Sequence, residues 1–113
     1  MIEAFSKLKE TRLKLGIVGK KGWLYDQILD QARKLGIANR VIFTGFAPTE
    51  DLPALIKASR AFVLPSLYEG FGIPVVEAQA VGVPVVVSAV SSLPEVTGES
   101  GIFIADPNSV ESI

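Results

Sequence analysis

Short apolar runs that alternate with helical patterns constrain the fold of this chain more than any other feature. Most of the runs are continuously apolar, which is typical of parallel strands buried on both faces. Between the first two runs, residues 23–35 place apolar side chains at helical spacing, and Gly36 follows as a predicted C-cap. The five predicted strands are residues 13–19, 41–45, 61–65, 83–87 and 101–104.

Two further helices continue this alternation. Thr49 is predicted to cap a helix that reaches about residue 59, and residues 73–81 are predicted to form a helix closed by Gly82. Strands joined through helices imply right-handed crossovers, and therefore a three-layer α/β fold with a parallel sheet and helices on both faces. Ligands bind such sheets at the carboxyl ends of the strands, so the loops that follow the strands are expected to form the site.

The segment between Glu69 and Glu77 carries the strongest functional signal. Gly70 and Gly72 allow the backbone to turn sharply and to approach a ligand, and Pro74 suits the first turn of a helix. The N–H groups and the dipole of that helix would favour an anion such as phosphate. Two carboxylates beside a phosphate site are suited to accept hydrogen bonds from hydroxyl groups, so we predict a ligand with a diphosphate and sugar rings. The alternative is an ordinary loop with two solvated charges.

Composition excludes several other classes of function. The chain has 113 residues, 49% of them hydrophobic, and a formal net charge of −1. It is therefore expected to be one globular domain without an electrostatic footprint for nucleic acid, and its apolar runs are too short to span a membrane. Cysteine and histidine are absent, so a metal site is not expected and a cytoplasmic location is favoured. Neither GxGxxG nor a P-loop motif occurs.

Several motifs in order resemble the group 1 (family 4) glycosyltransferases. Residues 65–78 are similar to the signature of that family, and residues 41–45, 82–86 and 93–96 agree with further motifs in the same order. The resemblance covers nearly the whole chain. It implies a Rossmann-like domain that forms one half of a GT-B fold, and a reaction that transfers a sugar from a nucleotide-sugar to an acceptor. Retention of anomeric configuration without a metal cofactor is implied as well.

The resemblance also implies residue roles. Glu69 and Glu77 match the E-x7-E motif, so that Glu69 is the catalytic candidate at the donor sugar and Glu77 is the acceptor of hydrogen bonds from the ribose. The remaining candidates for donor binding hold the diphosphate and sugar through their backbone or line the nucleotide pocket. They are Gly70, Phe71, Gly72, Ile73, Gly19, Lys20, Phe46 and Ala47.

The same resemblance indicates which parts of the family's site lie outside this chain. Residues 1–113 are expected to be the donor-binding domain, truncated at both ends. The acceptor-binding domain is absent, as are an arginine and a lysine that clamp the diphosphate in the family. The isolated chain is therefore expected to bind its donor weakly and to catalyse nothing. Self-association through exposed apolar faces is also expected, and a peripheral membrane contact through the absent domain stays open.

Trp23, Tyr25 and Glu95 each allow a structural and a functional interpretation, and the function has alternatives. Trp23 and Tyr25 could form a base or sugar platform, although packing at the start of their helix is favoured. Glu95 is favoured as a residue that braces a short helical turn rather than as a site residue. The alternatives for function are a non-catalytic nucleotide-sugar-binding module, or another enzyme of related architecture such as a nucleotide-sugar epimerase or a phosphorylase.

Overall fold

The computed structural model describes residues 1–20, 22 and 24–113, which form two compact units, Met1–Pro48 and Thr49–Ile113. The first unit contains α1 (Ile2–Ser6), β1 (Leu15–Val18), α2 (Tyr25–Lys34), a 3₁₀ turn (Ala38–Arg40) and β2 (Val41–Gly45). The second contains α3 (Leu52–Lys57), β3 (Phe62–Leu64), α4 (Ile73–Ala80), β4 (Val85–Ser88), α5 (Leu93–Thr97), a 3₁₀ turn (Gly98–Ser100) and β5 (Ile102–Ile104).

In the first unit, β1 and β2 pair in parallel, with Leu15 opposite Val41 and Ile17 opposite Phe43. One face of this pair is covered, because its inward side chains share a core with α1 and α2. The other face is open, and Val18 and Ile42 on it are 44% and 49% exposed. The prediction that these strands are buried on both faces is therefore wrong for β1 and β2 as the structure describes them.

Arg40 stabilises the first unit from inside. Its side chain is 9% exposed, donates hydrogen bonds to the carbonyl oxygens of Leu13 (3.2 Å) and Glu10 (3.1 Å), and stacks over the ring of Phe5 at 4.5 Å. A guanidinium can be buried in this way because its charge is satisfied by carbonyl dipoles and by an aromatic face. Sequence reasoning did not find this residue, whose partners lie 27 and 30 positions away.

In the second unit, three parallel strands form a sheet in the order β3-β4-β5. The central strand β4 contributes the fully buried Val87 and the nearly fully buried Val85, and α4 and α5 add Val75, Ala78 and Leu93 to the same core. The α/β class with parallel strands flanked by helices is thus confirmed. The strands fall into two sheets, one in each unit.

Several predicted element boundaries differ from those observed, among them the starts of α3 and β4. The N-cap of α3 is Asp51 rather than Thr49, and residues 49–51 form a turn. Strand β4 begins at Val85 instead of residue 83, because Pro84 has no N–H to donate to a ladder. The carbonyl of Pro84 still accepts a hydrogen bond from Phe62 N at 2.9 Å. Strand β2 has the predicted bounds.

Candidate functional site

The loop between β3 and α4 leads directly into the start of α4. Gly72 is the N-cap, with φ 84° and ψ 43°, and Pro74 occupies the second helical position. Among the residues that the structure describes, no side chain forms a capping hydrogen bond at the N-terminus of α4. The first turn of a helix exposes N–H groups that have no intrahelical partner, and a capping side chain would normally use one of them. The uncapped start of α4 therefore leaves backbone donors to which an anionic ligand can bind.

Gly72 is required at this position for two reasons. Its φ lies in the left-handed region that residues with a β-carbon rarely adopt. In addition, a β-carbon built on Gly72 would lie 2.7 Å from Cδ2 of Leu93, a fully buried side chain at the start of α5. Gly70 has neither restriction, because its φ is outside the left-handed region and nothing lies within 4 Å of its built β-carbon.

Glu69 is half-buried near the middle of the loop between β3 and α4. Its Oε2 accepts a hydrogen bond from the hydroxyl of Ser66 at 3.3 Å. Its backbone carbonyl lies 3.4 Å from the hydroxyl of Ser92, which comes from the loop between β4 and α5. The carboxylate is thus oriented by a neighbour on its own loop, and one of its two oxygens remains available to a ligand.

Glu77 is the fifth residue of α4 and is half-buried. Residues four apart lie on the same helix face, so Glu77 lies one turn after Ile73 on one face of α4. The side chain of Ile73 is 62% exposed. No described residue forms a hydrogen bond or an ion pair with the Glu77 carboxylate. Within α4 only Val75 and Ala78 are buried.

A shallow groove lies beside the start of α4. It has a volume of about 380 Å³ and is lined by Phe71, Val76, Ser92, Glu95 and Val96. Phe71 is 58% exposed there, so the side chain as well as the backbone of this predicted site residue is accessible. Glu95, which sequence reasoning treated as a bracing residue, is exposed and lines the groove.

The remaining predicted site residues lie in the first unit, at the carboxyl ends of its two strands. The N–H of Gly19, after β1, donates to the carbonyl of Gly45, at the end of β2, at 3.0 Å. Lys20 follows Gly19, and its Nζ lies 5.6 Å from the ring centroid of Phe46. Phe46 is 67% exposed and Ala47 is half-buried. Gly19, Lys20, Phe46 and Ala47 therefore belong to two adjoining loops.

A small cavity of about 120 Å³ adjoins these loops and includes Gly19, Lys20 and Tyr25 in its lining. Tyr25 packs edge-to-face on Phe43, with ring centroids 4.7 Å apart. This contact agrees with the favoured reading that Tyr25 packs at the start of its helix. Trp23, the other half of the predicted platform, lies outside the described residues.

Comparison with known proteins identifies the family. The family model for glycosyl transferases group 1 matches residues 1–113. The chain is 46% identical over 117 residues to O-antigen chain mannosyltransferase B of Escherichia coli. The alignment covers all of this chain and 30% of that protein.

Solved structures agree with the sequence comparison. Anabaena HepE, solved in complex with UDP and glucose, superimposes with a TM-score of 0.87 at 27% identity, over 98% of this chain and 31% of HepE. Sucrose-phosphate synthase of Thermosynechococcus elongatus gives a TM-score of 0.84 at 29% identity, over 98% of this chain and 29% of the synthase. The chain thus spans 29–31% of the length of each of these three proteins. It belongs to the group 1 glycosyltransferases.

Proposed function

We propose that residues 1–113 are the donor-binding part of a retaining glycosyltransferase, which transfers a sugar from a nucleotide-sugar to an acceptor bound by a separate domain. The observation that carries this proposal is the uncapped N-terminus of α4, entered through a left-handed Gly72 and flanked by Glu69 and Glu77. A non-catalytic binding module would need the phosphate site, but it would not need a carboxylate at the sugar.

The start of α4 binds the diphosphate. Backbone N–H groups from Gly70 to Ile73 donate to the phosphate oxygens, and the dipole of the eight-residue helix α4 adds a favourable potential. The leaving nucleotide gains negative charge as the glycosidic bond breaks. Fixed N–H donors at that point stabilise the transition state more than the ground state, which is the requirement for catalysis.

The two glutamates contact the hydroxylated parts of the donor. Glu77 accepts hydrogen bonds from the ribose, a role that its carboxylate can take without breaking a hydrogen bond or ion pair to any described residue. Glu69 contacts the donor sugar at the reacting centre, as a nucleophile or as an electrostatic aid, and the hydroxyl of Ser66 holds one of its oxygens. This division assigns ribose recognition to the helix and sugar recognition to the loop.

The loops of the first unit carry features that suit a nucleotide base. The exposed ring of Phe46, with Ala47 beside it, offers an apolar surface to the base, and Lys20 supplies positive charge next to that ring. The backbone at Gly19 has φ 146°, a conformation that suits glycine and allows close approach. The cavity beside these loops has a volume of about 120 Å³. Pockets that enclose a whole small ligand have roughly 300–1,000 Å³, so this cavity can hold only part of a ligand.

The relatives favour a hexosyl donor, and mannose in particular. Besides the 46% identical relative, serotype-specific mannosyltransferase WbdA of Escherichia coli is 42% identical over 90 residues. The reaction is proposed to need no metal, as the resemblance to the family implies. A cytoplasmic location is proposed from the absence of cysteine. None of the helices in the described part of the chain is long and apolar enough to cross a membrane.

Calorimetric titration of the chain tests the proposal. UDP, GDP, ADP and a sugar conjugate of each are titrated at high protein concentration, because the isolated chain is expected to bind its donor weakly. Selective binding of one base, weakened by Glu77→Gln and not by Glu99→Gln, supports a donor site. Absence of binding by a chain that circular dichroism shows to be folded would contradict it.

A further inference from the structure

Ser92 uses its hydroxyl in an unusual way for its position. It is the N-cap residue of α5, where a serine ordinarily accepts a hydrogen bond from an N–H of the first helical turn. Here the side chain makes no capping hydrogen bond. One of the two N–H groups that it could have capped does not exist, because Pro94 occupies the second helical position.

The hydroxyl of Ser92 instead donates to the loop between β3 and α4. It lies 3.0 Å from the carbonyl oxygen of Gly70 and 3.4 Å from that of Glu69. These two carbonyls belong to the peptide groups that also contain the N–H of Phe71 and of Gly70, respectively. In a planar trans peptide the C=O and N–H point in opposite directions, so a hydrogen bond that fixes the carbonyl also fixes the direction of the N–H.

The two neighbours of Ser92 have distinctive positions. Ser91 has φ 50° and is the only non-glycine residue with positive φ in the part of the chain that the structure describes. Leu93, on the other side, is fully buried and occupies the space next to Gly72. The segment Ser91–Leu93 therefore contacts the loop between β3 and α4 at two points. Ser92 hydrogen-bonds the carbonyls of Glu69 and Gly70, and Leu93 lies next to Gly72.

From this arrangement we infer that Ser92 is a positioning residue of the donor site. It turns the carbonyls of Glu69 and Gly70 toward the β4–α5 loop, and thereby directs the N–H groups of Gly70 and Phe71 to the side where a diphosphate is bound. A carbonyl turned to that side would repel phosphate, whereas an N–H donates to it. The inference rests on the proposed function, because it assigns Ser92 a part in binding the donor diphosphate.

The test compares three variants of the chain. Ser92→Ala removes the hydroxyl, Ser92→Thr retains one, and Ser59→Ala is the matched control, because Ser59 also donates to a backbone carbonyl of the second unit, that of Ile56 at 2.7 Å. Affinities are measured for the nucleoside diphosphate that the wild-type chain prefers and for the corresponding nucleoside. Folding is checked by amide NMR spectra, which also report the chemical shifts of the Gly70 and Phe71 amides.

The expected result is a loss that is selective for the diphosphate. Ser92→Ala lowers diphosphate affinity about three- to tenfold, as for loss of one hydrogen bond, and leaves nucleoside affinity unchanged. It also shifts the Gly70 and Phe71 amide signals, while Ser92→Thr restores affinity and Ser59→Ala matches the wild type.

Two results would overturn the inference. If Ser92→Ala folds and binds the diphosphate as tightly as the wild type, or loses nucleoside and diphosphate affinity equally, Ser92 does not position the phosphate donors, although the proposed function stands. If the folded wild-type chain binds no nucleoside diphosphate, the proposed function and the positioning role fall together.

Discussion

The substitution Gly72→Ala tests the structural basis of the site. Alanine at φ 84° is disfavoured by about 1–2 kcal/mol relative to glycine, because its β-carbon crowds the backbone. The same β-carbon would lie 2.7 Å from Cδ2 of Leu93, and overpacking of a buried site costs about 1–3 kcal/mol. The sum is a loss of about 2–5 kcal/mol in the free energy of unfolding, a large share of the roughly 5–15 kcal/mol that stabilises a typical domain.

Urea unfolding followed by circular dichroism measures this loss, with thermal unfolding as a second measurement. A loss of about 2 kcal/mol corresponds to a drop in melting temperature of about 10 °C for a chain of this size, and a larger loss gives a larger drop. Gly70→Ala is the matched control, two residues away in the same loop, and it should change the free energy of unfolding by less than about 1 kcal/mol. If the two variants differ by less than about 1 kcal/mol, the argument that the backbone at Gly72 requires glycine is refuted.

Three further predictions concern ligand affinity, stability and association. Glu77→Gln should lower nucleotide affinity about 10- to 100-fold by weakening hydrogen bonds to a charged acceptor, with stability unchanged, and calorimetric titration beside urea unfolding checks both. Arg40→Ala should lower the free energy of unfolding by about 2–5 kcal/mol, because two hydrogen bonds and a cation–π contact are lost. Arg33→Ala, which removes an exposed ion pair with Asp30, should change it by less than about 1 kcal/mol in the same urea assay, and equal losses would contradict the account. The chain should self-associate, and Ile42→Thr on the open face of β2 should reduce this; light scattering that shows a monomer at high concentration would contradict it.

Much of the fold could be predicted because its signals are local. The apolar run at residues 41–45 predicted β2 with the observed bounds. The pattern of Gly72 and Pro74 at the start of α4 predicted where that helix begins. Both depend on a few neighbouring residues, so the sequence contains all that is needed to find them.

The features that were missed depend on contacts between distant residues. The hydroxyl of Ser92 bonds to carbonyls 22 and 23 positions away, and no local pattern distinguishes it from an ordinary N-cap. Burial of Arg40 likewise depends on carbonyls of a loop far along the chain. The open face of β1 and β2 was missed because a continuous apolar run indicates burial on both sides but cannot show what covers each side.

The most direct test of the central claim is an amide NMR titration of the isotope-labelled chain with the nucleotide-sugar that calorimetry selects. If the start of α4 binds the donor diphosphate, the largest shifts should occur at the amides of Gly70, Phe71, Gly72 and Ile73, with smaller ones at Glu77. The amides of α3 should remain unchanged. Shifts confined to other parts of the chain, with residues 70–73 unaffected, would contradict the claim that this loop and helix form the donor site.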